Sequence, residues 1–517
     1  MNAPLIPNYL NGRWQTGSGE GTVLRDPVLG TDLVRVDSSG LDLPGGFQFA
    51  RERGSAALQA LTYGERAALL AQCQKVLLAH RDAYYEIALV NSGTVRNDSA
   101  VDIDGAIFTL GQYARWGEAL GGARALRDGD PVKLGKEPIF QSQHLRTPRP
   151  GLALFINAFN FPAWGLWEKA APALLSGMAV VVKPATSTAW LTQRMVQDVV
   201  DAGILPPGAL SVVCGGSAGL LDALLPFDVL SFTGSAETAA VIRSHTAVTR
   251  HAVRTNIEAD SLNSAVLLND AAPGTPAFDL MVREVVKEMT VKSGQKCTAI
   301  RRVFVPAPVF EAAAQAISAK LAKVSVGNPR NDSVRMGALV SREQWHNVQQ
   351  GLKQLTRATT TLYDGRDQPL VDADPSVAAC QQPVLLGARD ADSAQAVHDV
   401  EVFGPVATLV AYRDIGHAHQ LVQRGLGSLA ASLYSDDSAL LAQSALALAP
   451  FHGRLHIVTP EVADAHTGHG NVMPMSLHGG PGRAGGGEEL GGLRALDFYH
   501  QRSAIQASTQ VLQALGL

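Results

Sequence analysis

The chain has 517 residues, 46% hydrophobic and 17% charged, which excludes a disordered polypeptide and favours several domains over one. Its net charge of −4, without any Lys/Arg run, gives no electrostatic basis for binding nucleic acid or an anionic membrane. The amino terminus lacks a basic stretch followed by an apolar one, residues 151–182 are broken by Glu168 and Lys169, and the four cysteines show no CxxC or metal spacing. A cytoplasmic protein with reduced thiols, no signal peptide, no membrane span and no metal is therefore expected.

In chain order, residues 54–118 read as helices with apolar residues at helical spacing, and Cys73 lies on that apolar face as a packed core thiol. From Gly151 the texture changes. GLALFINAF, MAVVVKP, ALSVVCG and DVLSF read as buried strands. AWGLWEKAAPALLSG, TAWLTQRMVQDVVDAG, the short GLLDALL and SAETAAVIRSH read as helices between and after them. This alternation predicts a parallel α/β sheet covered on both faces, with Cys214 structural at a strand end. A second α/β pattern follows from Asn263, through SAVLLN, RRVFVP, PVATLVAYRD and SLAASLYSDD. Two α/β domains of comparable size are expected, and the Gly-rich stretch 478–492 reads as a compact, close-packed loop.

Several residues stand where such folds do chemistry. Phe232-Thr233-Gly234-Ser235 falls between a strand and a helix, where Ser235 can cap the helix and the helix N-terminus suits an anion. Asn160 follows a buried strand at its carboxyl end, and its amide either holds the turn before Pro162 or donates to an oxyanion. Glu258, with Asp260 close by, is a carboxylate at the edge of a core, which is costly unless paired or functional. Cys297 follows Gly294, which can release the backbone and turn the thiol toward a cavity. Cys380 has no such setting. His466 and His469 lack a carboxylate or cysteine cluster for a metal, and no histidine is placed by the sequence as a base for Cys297.

Six motifs in order, FNFP (159–162), VVKP (181–184), FTGS (232–235), Glu258, GQKC (294–297) and EVFGP (401–405), resemble the aldehyde dehydrogenase superfamily across essentially the whole chain. EADSLN, GQKCTAIRR, TGHGN and HGGPGRAGGGEELGGLRA are similar to a narrower group. It comprises the dehydrogenase part of bifunctional phenylacetate ring-opening enzymes and the stand-alone CoA-semialdehyde dehydrogenases of aerobic benzoyl-CoA degradation. Because the sequence stops at Leu517, the stand-alone type is expected and a hydratase activity is not.

The resemblance implies a Rossmann-like cofactor domain (1–137 and 151–259), an α/β catalytic domain (260–484), and an oligomerisation β-arm with the C-terminal segment (138–150 and 485–517). It implies a homodimer and a CoA-linked semialdehyde, 3,4-dehydroadipyl-CoA semialdehyde, as substrate. Cys297 is then the nucleophile, Glu258 the base, Asn160 an oxyanion donor, and Lys169 with Glu168 a proton path. A relay carboxylate is expected near Asp497. Lys183 and Glu401 are the ribose contacts, Phe403 lies against the nicotinamide, and Phe232, Thr233, Gly234 and Ser235 form the phosphate turn.

Two departures matter. Thr186 stands where many NAD-preferring members carry Glu, so a 2′-phosphate is not repelled and NADP is the expected cofactor. The loop after the base reads Glu-Ala-Asp-Ser instead of Glu-Leu-Gly-Gly, which leaves the resting orientation of Glu258 open. The alternatives are a dehydrogenase for free medium-chain aldehydes, a CoA-acylating dehydrogenase, a cysteine hydrolase or acyltransferase using Cys297, and a catalytically dead structural member.

Overall fold

The computed structural model describes residues 3–515. Five parallel strands form the centre of the first sheet, in the order Arg254–Glu258, Val229–Thr233, Leu152–Ile156, Ala179–Lys183, Leu210–Val212. Their runs of Val, Leu, Ile and Ala are buried on both faces, which is what a parallel sheet covered by helices requires. An N-terminal hairpin, Asn8–Leu10 with Arg13–Gln15, extends the sheet antiparallel at Val212. The second sheet holds six parallel strands: Val384–Ala388, Val406–Tyr412, Arg302–Pro306, Ser264–Leu267, Ser428–Tyr434 and His452–Val458. An antiparallel edge strand, Thr360–Asp364, completes it.

The register of the first sheet gathers the motifs. Lys183 pairs with Ile156, Ile156 with Phe232, Phe232 with Ile257, and Thr233 with Glu258. Lys183, the turn after Ile156, Thr233 and Glu258 thus emerge along one carboxyl edge. After a link of five residues, 259–263, the chain enters the second sheet at Ser264. Asn263 in this link donates to the carbonyls of Cys297 and Ala299 at 2.7 and 3.0 Å, so one amide ties the cysteine loop to the strand end carrying Glu258.

Some expectations change. GLLDALL forms turns, because the run is short, Gly219 takes a left-handed φ of +79° and Pro226 follows. The third predicted strand keeps three residues, Leu210–Val212. The arm Phe140–Pro148 pairs antiparallel with His500–Ser508, and a further strand, Leu126–Lys133, joins its other edge. Its polar sequence LRDGDPVK carries no alternation of apolar residues, so periodicity gave no signal for it. Among the described residues no helix is long and apolar enough to cross a membrane, and no cysteine is in a disulfide.

Arg302 closes the amino ends of the second sheet. It is fully buried and donates to the carbonyls of Leu262, Leu421 and Val422 and to Ser264 Oγ. Burial, with Arg483 and Arg424 nearby, pulls its guanidinium down to about 9. Arg302→Leu is expected to strand those carbonyls and cost about 3 kcal/mol or more. A thermal melt within a degree or so of the parent would refute that role.

Candidate active site

Cys297 sits at the end of a strained turn. Lys292, Ser293 and Gly294 take consecutive φ values of +53°, +55° and +69°, a left-handed run that costs the two non-glycine residues about 1–2 kcal/mol each. Surrounding bonds hold it. Lys292 N–H donates to Asp98 Oδ2 at 2.8 Å, Ser293 Oγ to the Gly337 carbonyl at 3.0 Å, and Arg301 to the Gly294 carbonyl at 2.9 Å. Only glycine fits at 294, because a Cβ would stand 2.2 Å from the Gly404 carbonyl oxygen. Arg301 also donates to that Gly404 oxygen and lies over the Phe403 ring, so the cysteine loop and the 401–405 loop move as one piece.

The turn carrying Asn160 is fixed from three sides. Asp102 accepts from Trp164 N–H at 2.7 Å, Thr188 Oγ1 donates to the Phe159 carbonyl, and Thr192 Oγ1 to the Pro162 carbonyl. Asn160 is 8% exposed and lines the same cleft as Cys297. The helix that follows, Trp164–Leu175, is buried all round, so Glu168 and Lys169 enter the core and must be paired there. Lys169 bonds Glu168 directly, and its Nζ lies 3.1 Å from Glu489 Oε2. Burial pushes Glu168 far above the usual carboxylate range. Burial opposes the charge of Lys169, yet Glu168, Glu489 and Glu258 outweigh it and hold the ammonium protonated.

The sequence placed the relay carboxylate near Asp497. In the structure Asp497 is half-exposed and bonds Arg146, whereas Glu489 reaches Lys169. The other oxygen of Glu489 accepts from Ser231 Oγ and Asn256 Nδ2. The clue was present in GGGEELGG, where the second Glu of a pair precedes an apolar residue.

The loop after Glu258 is pinned residue by residue. Ala259 N–H donates to the Ala484 carbonyl, Asp260 accepts from Ala236 N–H at 3.0 Å, and Ser261 N–H donates to Glu401 Oε2 at 3.0 Å. Glu258 therefore faces Cys297 at rest, which answers the question raised by Glu-Ala-Asp-Ser. Ligand atoms of Glu258, Cys297 and His478 lie within 4.8 Å of one another. Burial pushes the Cys297 thiol well above its ordinary value, and the Glu258 carboxylate adds to this. Burial opposes ionisation of Glu258, but His478, Lys169 and the Cys297 thiol outweigh it and hold the carboxyl below its ordinary range. The sequence placed no histidine beside Cys297, and the structure corrects this with His478, delivered by the Gly-rich segment.

One cleft is lined by Lys183, Thr186, Phe232, Thr233, Gly234, Ser235, Glu401 and Phe403, together with Asn160, Glu258 and Cys297. Ser235 caps the helix Ala236–Ser244 by accepting from Thr238 N–H. Lys183 has no ion-pair partner among the described residues, while Thr233 Oγ1, both polar atoms of the Asn157 amide and Glu401 Oε1 are buried without hydrogen-bond partners there. An unpaired cation, a helix N-terminus and orphaned donors and acceptors fit a dinucleotide. Burial raises Glu401 to about 7 against the opposing charge of Arg301. Cys297 also lines a second, apolar funnel, between Phe108, Phe161, Trp164, Val472 and Met473. Away from the site, Glu284, His456 and His466 converge, with His456 Nε2 and His466 Nδ1 3.1 Å apart, a grouping from separate elements that sequence spacing did not reveal.

The chain matches the aldehyde dehydrogenase family over residues 15–505 and belongs to it. A relative from Aromatoleum evansii, a 3,4-dehydroadipyl-CoA semialdehyde dehydrogenase, is 56% identical over 477 residues, covering 92% of this chain and 93% of that protein. Lactaldehyde dehydrogenase from Escherichia coli superposes with a TM-score of 0.85 at 20% identity, over 98% and 99% of the two chains. Betaine aldehyde dehydrogenase from Staphylococcus aureus, in complex with NAD+, superposes at 0.83 with 22% identity, over 97% of each. The protein is thus an aldehyde dehydrogenase that uses a nicotinamide dinucleotide.

The electrostatics of the pair can be checked without any substrate. Iodoacetamide should alkylate Cys297 slowly at neutral pH and faster as pH rises, and Glu258→Gln should move the midpoint down by removing the adjacent negative charge. An unchanged or higher midpoint, read by mass spectrometry of the Cys297 peptide, would contradict the assignment.

Proposed function

We propose that this aldehyde dehydrogenase oxidises 3,4-dehydroadipyl-CoA semialdehyde to the carboxylic acid with NADP, through a covalent adduct on Cys297. The observation that carries the reading is that Cys297 lines two cavities at once, the cleft with Lys183, Glu401 and Phe403 and the apolar funnel. A carbon bonded to Sγ is presented to both. The relative from Aromatoleum evansii supports the choice of substrate. The apolar funnel also suits free medium-chain aldehydes, which is the second reading.

In this reading Glu258 takes the thiol proton and the thiolate attacks the aldehyde carbon. The resulting oxyanion accepts from the Asn160 amide and the Cys297 N–H. The bound nicotinamide supplies the hydride acceptor that makes the step an oxidation. Glu258 then takes a proton from the water that attacks the Cys297 thioester, the C–S bond breaks, and the acid leaves. Glu168 and Lys169, joined by Glu489, pass the proton away from Glu258. Retention of Glu258 beside Cys297 favours water as acyl acceptor over CoA.

Lys183 and Glu401 hold the two riboses, Phe403 flanks the nicotinamide, and residues 232–235 meet the pyrophosphate. In this reading 1–137 and 151–259 form the cofactor domain and 260–484 the catalytic domain, which contributes Glu401 and Phe403 to the cleft. Thr186, whose hydroxyl donates to the Gly215 carbonyl at 3.2 Å, leaves the adjacent Lys183 uncompensated, and this supports NADP. The arm exposes Val132, Leu134, Ile139 and Phe140, apolar side chains that support burial against a second copy.

Reduction followed by nicotinamide absorbance should favour NADP over NAD in kcat/KM and vanish in Cys297→Ala. Thr186→Glu should shift preference toward NAD by roughly tenfold or more, because a carboxylate repels the 2′-phosphate. Activity surviving in Cys297→Ala would overturn the mechanism, and a higher kcat/KM with NAD would overturn the cofactor. Light scattering should give a dimer for the parent and a monomer for the double variant Ile139→Asp, Phe140→Asp. A monomeric parent would remove the role of the arm.

A further inference from the structure

The Gly-rich segment carries a short antiparallel ribbon, Leu477–Gly479 with Glu488–Leu490, in which His478 pairs with Glu489. Cross-strand partners share a face. The ribbon therefore delivers two titratable groups into one buried space, Glu489 to Lys169 and His478 to Glu258. His478 Nε2 lies 2.9 Å from Glu258 Oε2, with both side chains almost wholly buried. Its ring meets Trp164 edge-on, with centroids 5.3 Å apart, a contact that restrains the imidazole. The approach is short but bent, since neither Nε2 nor Glu258 Oε1 has an aligned hydrogen-bond partner among the described residues.

Two lone pairs cannot face one another at that distance in a buried site. A proton shared by the two groups relieves that repulsion even though the approach is bent. Around it stand Cys297 and Lys296 of the cysteine loop, Glu168 and Lys169 of the buried helix, and Glu489 of the ribbon. Against the two neighbouring carboxylates, Glu168 and Glu489, the groups that favour the charge on Glu258 are His478, Lys169 and the Cys297 thiol. Without His478, burial of Glu258 would be opposed by Lys169 and the thiol alone.

We propose that His478 is a positioning residue that holds the Glu258 carboxylate beside Cys297 through a shared proton, so that the water-activating base is a Glu258–His478 pair and not a lone carboxylate. The inference rests on the reading of Cys297 and Glu258 given above. In deacylation, water oxygen bonds the thioester carbon and its proton passes to the pair. The C–S bond then breaks, and the electron pair stays on Sγ. The pair, having gained one proton, holds it until it is released to solvent through Lys169 and its carboxylates.

p-Nitrophenyl acetate separates the two half-reactions without any nicotinamide. Attack of the Cys297 thiolate releases p-nitrophenolate in a burst, and hydrolysis of the acetyl-enzyme sets the later rate. With His478→Phe the burst amplitude should persist while the later rate falls roughly 10- to 100-fold at neutral pH. The acid limb of that rate should move to higher pH, because Glu258 loses a partner that favours its charge. His478→Gln, which keeps an N–H donor, should recover most of the rate.

Equal deacylation rates and pH limbs in His478→Phe and the parent would overturn the proposal. So would a fall in the Gln variant as deep as in the Phe variant when both retain the parent melting temperature. A burst that survives in Cys297→Ala would instead overturn Cys297 as nucleophile.

Discussion

The site depends on backbone meeting backbone between the Gly-rich ribbon and both sheets. A Cβ at Gly485 would stand 2.2 Å from the Ile257 carbonyl oxygen, and at Gly487 2.5 Å from the same atom, so the ribbon presses on the strand that ends at Glu258. A Cβ at Gly480 or Gly482 would meet the carbonyls of Ser428 and Leu426, at the start of a second-sheet strand. The contacts are closed by Gly487 N–H to Ile257 O, Ala259 N–H to Ala484 O and Arg483 N–H to Leu426 O. Side chains at these positions would wedge the sheets apart and withdraw Glu489 and His478 from the reacting groups.

That clamp allows charges to be buried that would otherwise exclude one another. Lys169 is held between Glu168 and Glu489, and Glu258 between Lys169 and His478. Such groups persist in a core only when partnered, and partnering here spans three separated parts of the chain. The consequence for chemistry is a thiol kept protonated at rest beside an ionised carboxylate. Cys297 is thereby protected from indiscriminate alkylation or oxidation, and its proton has an acceptor within reach when an aldehyde arrives.

The strained run before Cys297 couples this centre to the 401–405 loop. Gly294 and Arg301 lock the cysteine loop to the 401–405 loop, and Ser261 carries Glu401 back to the link after Glu258. A ligand that engages Glu401 or Phe403 thus bears on the same rigid body as Cys297.

The sequence by itself determined the two α/β sheets and singled out Cys297, Glu258, Asn160, residues 232–235 and Thr186, which line one cleft. Each of these is written in a contiguous stretch: apolar runs of strand length, glycines at fixed offsets, a thiol after Gly-Gln-Lys. Only the tertiary structure decided that Glu489 and not Asp497 reaches Lys169, that His478 stands against Glu258, that Glu258 points inward, and that the polar strand Leu126–Lys133 joins the arm. Those facts depend on which residues of distant segments share a face, and a local pattern of periodicity or spacing carries no information about that. The ribbon shows the difference most clearly: its glycines announce a tight loop, but the two backbones they admit lie more than 200 and about 50 residues upstream.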